Sequence, residues 1–216
     1  MADVKPQTRR YRSDKRAARA AGTRASILSA ARRLFLARGW TGTTIADIAA
    51  AAGVSGETVY AAFGSKKEIL RQLVVQAVRQ ARPDIPLIEQ EGAARIARAS
   101  EQARQIELFS GDVARVLARV APLMEVVRVA AGADAEMAAL HARLHRGRRD
   151  NLEWFAGMLL GNGPLRDGMD AKAAGDTLWR LASPELFLLM RRVEKASLRT
   201  YADWLATSLK LLLLDR

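Results

Sequence analysis

The 216-residue chain predicts an all-α protein of about nine helices in two domains. Three observations carry this. Ala, Leu and Arg dominate while aromatic residues make up only 6%, a composition that favours helix over strand. Apolar residues recur every three to four positions in one stretch after another. No segment alternates apolar and polar residues in the manner of a half-buried strand.

The elements follow in order. Residues 1–22 carry Arg9, Arg10, Arg12, Lys15, Arg16 and Arg19 with almost no large apolar side chains, and read as a basic, flexible arm. Ile27, Leu28, Ala31, Leu34 and Phe35 then trace one face of a first helix, which Gly39 ends. Thr44 starts a second, with Asp47 placed as a capping-box acid and Ile45, Ile48, Ala49 and Ala52 as its buried face. Gly53 breaks it. Ser55 caps a third, short helix that runs to about Phe63, and Gly64 breaks that one in turn. Ser65 and Glu68 open a fourth helix with Ile69, Leu70, Leu73, Val74, Ala77 and Val78 on its apolar face. ARPDIP at 81–86 places a domain boundary, giving an arm over 1–22, a first domain over 23–82 and a second over 83–216. Helical patterns continue at roughly 87–108, 112–131, 134–161, 171–191 and 197–214, with breaks at Gly111, Gly132 and GNGPLRDG, and Pro184 after Ser183 should kink or restart the helix there.

Charge points to a partner. The net charge is +12, and residues 1–82 hold 16 Lys or Arg against 5 Asp or Glu, while residues 83–216 are nearly balanced at 19 against 18. Basicity confined to one segment is the footprint of a polyanion, with nucleic acid first and an anionic membrane surface second. The chain has no cysteine, which excludes disulfides and thiolate metal sites. The absence of an apolar leader and of any run of about 18 apolar residues leads to the expectation of a soluble, cytoplasmic protein.

Two short helices joined by a tight turn at Gly53 form a helix-turn-helix, whose second helix needs only its N-terminal half in the major groove. TTIADIAAAAGVSGETVYAAFGSKKEIL, residues 43–70, resembles the DNA-binding signature of the tetracycline-repressor (TetR) family of bacterial regulators. The matching residues are Thr43, Thr44, Ile48, Ala49, Ala52, Gly53, Val54, Ser55, Thr58, Val59, Tyr60, Phe63, Ser65 and Lys66. Glu57 departs from the glycine often found before Thr58. Thr43, Thr44, Thr58, Tyr60 and Lys66 carry hydroxyl or ammonium donors suited to phosphate, and the resemblance implies the same role. Thr44 and Ser55 also serve as helix caps. Base reading falls to Gly56, Glu57, Thr58, Tyr60 and Ala61; a carboxylate can accept from cytosine N4, and Ala61 can touch a thymine methyl. Glu57 is either the residue that selects the operator or a favourable first-turn acid.

The resemblance implies a homodimer that binds a double-stranded, palindromic DNA operator, most simply as a repressor released by a small-molecule effector bound in the second domain. Phe109, Leu123, Met124, Trp154, Phe155 and Met158 are the candidate pocket lining, and Trp179, Leu186, Phe187, Trp204, Leu205, Leu209 and Leu212 the candidate dimer interface, on terminal helices apolar round most of their faces. No cofactor is expected. His141 and His145 have the spacing of a metal pair, but ARLHRGRR surrounds them with cations and no carboxylate stands beside them in sequence, so no metal site is expected. Arg143, Arg146, Arg148 and Arg149 read as a solvated face. No nucleophile motif, P-loop or dinucleotide fingerprint is present, which argues against an enzyme. A membrane-surface module would need bulky apolar faces left exposed. A non-specific or architectural DNA-binding protein is the alternative, and a large, nearly neutral second domain argues against it.

Overall fold

The structure, a computed structural model, describes residues 7–80 and 84–215. Those residues form ten α-helices and two 3-10 turns: α1 (Gln7–Arg38), α2 (Ile45–Ala52), α3 (Gly56–Phe63), α4 (Lys66–Arg79), a turn at Leu87–Glu89, α5 (Glu91–Ala97), α6 (Gln102–Ala131), α7 (Ala135–Gly161), a turn at Arg166–Gly168, α8 (Ala171–Leu181), α9 (Pro184–Arg192) and α10 (Leu198–Leu213). Among the described residues no helix is long and apolar enough to cross a membrane.

The starts of the helices are written locally. Thr44, Ser55, Asp134, Asp170, Ser183 and Ser197 each accept from a backbone N–H three residues on, and Ser65 does the same for Glu68. Each such cap is worth about 1 kcal/mol. At Ser183 the cap is followed by Pro184 at the first helical position, so the helix restarts there as α9.

Three boundaries differ from the sequence reading. Helix α1 continues back to Gln7, so the segment expected to be a flexible arm is helical from that point; it holds strong helix formers and no proline up to Gly22. Residues 1–6 of that arm, and the side chains of Arg9, Arg10, Arg12 and Arg16, lie outside those described. Gly111 does not break α6, which runs unbroken over 30 residues and also passes Pro122. An interior glycine costs a helix only about 1 kcal/mol. Proline costs about 3 kcal/mol, which burial of the flanking Ala121 and Leu123 offsets. Finally, the helix expected over 87–108 is a 3-10 turn, the short α5 and the start of α6. Its break is stapled by side-chain amides: Asn162 Nδ2 donates to Ala99 O at 2.9 Å, and Gln102 Nε2 donates to Leu159 O and Gly163 O at 2.9 Å each.

Two compact units divide inside α4, between Leu73 and Val74, ahead of the proline cluster that suggested a boundary at 82/83; residues 81–83 of that cluster lie outside those described. The packing partners change before the helix ends. Ile69 and Leu70 are fully buried in the first unit, whereas Ala77 O accepts from Arg119 Nε at 2.9 Å in the second. The core of the first unit is Ile27, Ala31 and Phe35 of α1, Ile48 of α2, Val59 and Phe63 of α3, with Ile69 and Leu70. Each large apolar side chain buried there contributes about 1.5–3 kcal/mol.

In the second unit α6 packs against α7, α9 and α10, and α7 packs closely on α8. At Gly175 an added Cβ would stand 3.2 Å from the Glu153 Cα, which shows how near the α8 backbone comes to α7. Tyr201, Leu205, Leu209 and Leu213 form the buried stripe of α10, one residue per turn. Phe187, Leu205 and Leu209, expected at a dimer interface, are therefore part of the protomer's own core, while Leu186, Trp204 and Trp179 are half-buried and Leu212 is exposed. The expected pocket residues Phe109, Leu123, Met124 and Phe155 are buried, with Trp154 and Met158 half-buried. Phe109 and Phe155 stack at 4.0 Å between ring centroids, so that pair fills core space.

The arginine-rich face of α7 also departs from expectation. Arg148 folds inward, donates from Nη1 and Nη2 to Trp179 O at 2.9 and 2.6 Å, and lies 4.9 Å from the Trp179 ring centroid. Arg149 pairs with Asp176 and approaches the same ring, at 4.7 Å. Both guanidinium groups pack against the indole ring, where cation–π attraction offsets part of the cost of leaving water. Burial pushes the Arg148 guanidinium down to about 10, and burial with His141 and Arg148 nearby pushes His145 down to about 4. Only Arg143 and Arg146 are exposed as expected.

Candidate nucleic-acid interface

The turn between α2 and α3 is set by Gly53, at φ 67° and ψ 36°, a left-handed conformation that suits glycine. Its N–H bonds Ala50 O at 3.3 Å and the next N–H, of Val54, bonds Ala49 O at 3.0 Å, closing the end of α2. Thr44 and Asp47 make the predicted capping box in full: the Thr44 hydroxyl accepts from Asp47 N at 3.1 Å, and Asp47 Oδ2 accepts from Thr44 N at 2.9 Å. At the start of α3, Ser55 Oγ accepts from Thr58 N at 3.2 Å and lies 3.0 Å from the Thr58 hydroxyl. Gly64, at φ 74°, ends the helix with its N–H on Tyr60 O at 2.7 Å.

Helix α3 turns Val59 and Phe63 into the core, as their spacing predicts. The opposite face presents Ser55, Glu57, Tyr60 and Ala61 to solvent, with Tyr60 56% exposed, and Gly56 and Thr58 half-buried beside them. This row is the solvent-facing side of the second helix of the helix-turn-helix. Glu57 lies at the helix start, where its own backbone N–H and then the Ser55 hydroxyl hold its carboxyl below the usual range. That placement is the first-turn-acid alternative.

Two of the expected phosphate ligands are occupied elsewhere. Thr43 is fully buried and its hydroxyl donates to Gly39 O at 2.9 Å, so it braces the turn after α1. Lys66 Nζ donates to Trp40 O and Thr43 O at 2.8 Å each and lies 4.0 Å over the Trp40 ring. A cation satisfied by two carbonyls and an aromatic face is a brace on the loop that leads into α2. Thr44 is exposed, with its hydroxyl engaged by Asp47.

One residue here escaped the sequence reading. Arg24 of α1 donates from Nη1 to Ala62 O, donates from Nη2 to Gln72 Oε1 at 2.8 Å, and lies 4.2 Å over the Phe63 ring. It holds the Ala62 carbonyl in the last turn of α3, where a cation is favoured by the helix dipole. Its signal in the sequence was only a charge on the inner side of an otherwise apolar stripe.

The residues that match a known family are the ones this geometry uses. The family described as "Bacterial regulatory proteins, tetR family" matches residues 27–73, from the buried Ile27 to the end of the first unit. The helix-turn-helix unit belongs to the tetR family. The HTH-type transcriptional regulator AlkX of Mycobacterium tuberculosis is 48% identical to the chain over 44 residues, which are 20% of this chain. That match spans about a fifth (21%) of AlkX's own length. Solved structures extend the likeness of fold over both units. A TetR-family transcriptional regulator from Agrobacterium tumefaciens matches with a TM-score of 0.64 at 19% identity, covering 90% of this chain and 99% of that one. FadR from Bacillus subtilis, solved with stearoyl-CoA, matches with a TM-score of 0.66 at 19% identity, covering 86% of this chain and 96% of that one. The tetR-type unit is thus followed, in this chain as in those, by a helical second unit.

Proposed function

We propose that the chain is a transcription regulator that binds a palindromic DNA operator as a homodimer, represses by occluding a promoter, and lets go when a small molecule binds its second unit. The observation that carries this reading is the exposed row Ser55–Glu57–Tyr60–Ala61 on a capped, tightly braced α3. Basic residues concentrated in 1–82 supply the sequence-independent part of the affinity. The reading involves no catalytic step, and a chromosomal target places the protein in the cytoplasm.

Pairing is supported by a set of apolar side chains that the fold leaves uncovered on α9, at its C-cap and on α10: Leu189, Val193, Leu198, Leu211 and Leu212 are 37–70% exposed. Exposed apolar side chains grouped on terminal helices suit a second copy. A two-fold dimer presents two copies of α3 to half-sites about 34–36 Å apart. FadR from Bacillus subtilis, similar in fold, was solved in complex with stearoyl-CoA, which supports a small-molecule effector for this chain. A coupling of about 1–3 kcal/mol between effector and operator gives roughly 5–150-fold control.

Fluorescence anisotropy on DNA from upstream of the chain's own gene tests the reading. Tight, salt-dependent binding to one palindrome, at least about a thousandfold over unrelated DNA, is the expected result. Equal affinity for all sequences would favour the architectural alternative.

A further inference from the structure

We propose that His141, His145 and Glu185 form a binding site for one late first-row divalent cation, Zn2+ or Ni2+, tying α7 to α9. The carboxylate missing from the local sequence comes from another helix. Glu185 stands in the first turn of α9, right after the Ser183 cap and Pro184, where the backbone is well fixed.

His141 and His145 share one face of α7, and their Nε2 atoms face each other at 3.0 Å, with the ring centroids 4.4 Å apart. Glu185 Oε1 is 4.0 Å from His145 Nε2, and one ligand atom from each of the three residues lies within 4.8 Å of the others. Two nitrogens each about 2.05 Å from one ion stand about 3.3 Å apart at a tetrahedral angle and about 2.9 Å apart at a right angle. The histidine pair already has this separation. A side-chain rotation would bring the carboxylate to its place, since the Glu185 side chain is 46% exposed.

At 3.0 Å, one Nε2 donates its hydrogen to the other. Binding moves that proton to Nδ1 of its own ring, which leaves both Nε2 lone pairs on the ion with no net change in charge on the rings. Two imidazoles and one carboxylate select zinc, nickel or copper over magnesium or calcium, which prefer all-oxygen sites. Arg148 opposes a cation here, but both its Nη atoms are directed to Trp179 O. Glu185 supplies the negative charge that offsets it. Three protein ligands are fewer than a four-coordinate ion takes, so water or a further ligand would complete the site.

The test uses tag-free, full-length protein and Zn2+ or Ni2+ alone, by calorimetry or competition with a chromophoric chelator. One ion per protomer is expected, with affinity reduced at least tenfold in His141→Gln and in Glu185→Gln and abolished in the pair. Circular dichroism checks that each variant is folded; if His141→Gln unfolds, Glu185→Gln alone decides. Magnesium in large excess should fail to displace the ion. The proposal is overturned if the wild-type chain retains no ion, or if Glu185→Gln binds as the wild type does. DNA binding is not needed for any of these readings.

Discussion

The ammonium of Lys66 lies 4.0 Å over the ring of Trp40 and donates to the carbonyl of the same residue at 2.8 Å. A lysine that fits a phosphate-binding pattern is thus holding the entrance of α2. Replacing it with Met should lower the stability of the first unit by about 2 kcal/mol, the scale of lost hydrogen bonds from a charged donor with some cation–π attraction. Urea unfolding read by tryptophan fluorescence measures this. Unchanged stability, with a salt dependence reduced by about one phosphate, would instead make Lys66 a DNA ligand.

Arg24→Ala removes the clamp on Ala62 O and Gln72. The last turn of α3 should loosen, with a stability loss of about 1–3 kcal/mol and weaker operator binding. Base preference should not change, because Arg24 lies behind the helix. A binding profile across an operator library checks both parts.

The capping box gives a pH test. Thr44→Ala should cost about 1 kcal/mol. The Thr44 hydroxyl, then the Thr44 backbone N–H, hold the Asp47 carboxyl below its ordinary value. A depressed folded pKa means stabilisation that is complete above the unfolded pKa and is lost as pH falls through the folded one, so the effect lies below about pH 4. Acid unfolding of Asp47→Asn should show a shallower loss of stability in that window than the wild type.

Glu57→Ala separates the two roles that the sequence left open. With the carboxyl drawn to its own N–H and to Ser55, base preference should stay the same and overall DNA affinity should rise as phosphate repulsion is removed. A changed preference at one base-pair position would show that the carboxylate reaches the groove.

Leu209 and Leu212 have opposite surroundings on one helix. Leu209 is fully buried and Leu212 is 46% exposed. Leu209→Ala should destabilise the protomer by about 2–5 kcal/mol. Leu212→Lys combined with Leu189→Lys should leave the fold intact and shift sedimentation towards the monomer.

Much of this was legible because it is local. Thr44, Ser55, Gly53 and Gly64 announce the helix ends, and Ile27, Ile48, Val59 and Phe63 announce the inward faces, all within a few residues. What was missed depends on partners distant in sequence. Nothing near Arg24 names Ala62, nothing near Arg148 names Trp179, and nothing near His145 names Glu185. Gly111 misled because a breaker acts only where packing does not hold the helix on both sides. Apolar residues all round α10 left open which of them face inward, and only the fold separates Leu209 from Leu212.

The side-chain caps at Thr44, Ser55, Ser65, Asp134, Asp170, Ser183 and Ser197 act together as checkpoints for register. A residue inserted in one helix turns every later side chain of that helix by about 100°. The fault stops at the next cap, where the chain is started afresh. Damage is confined to one segment, and the helices beyond it keep their faces.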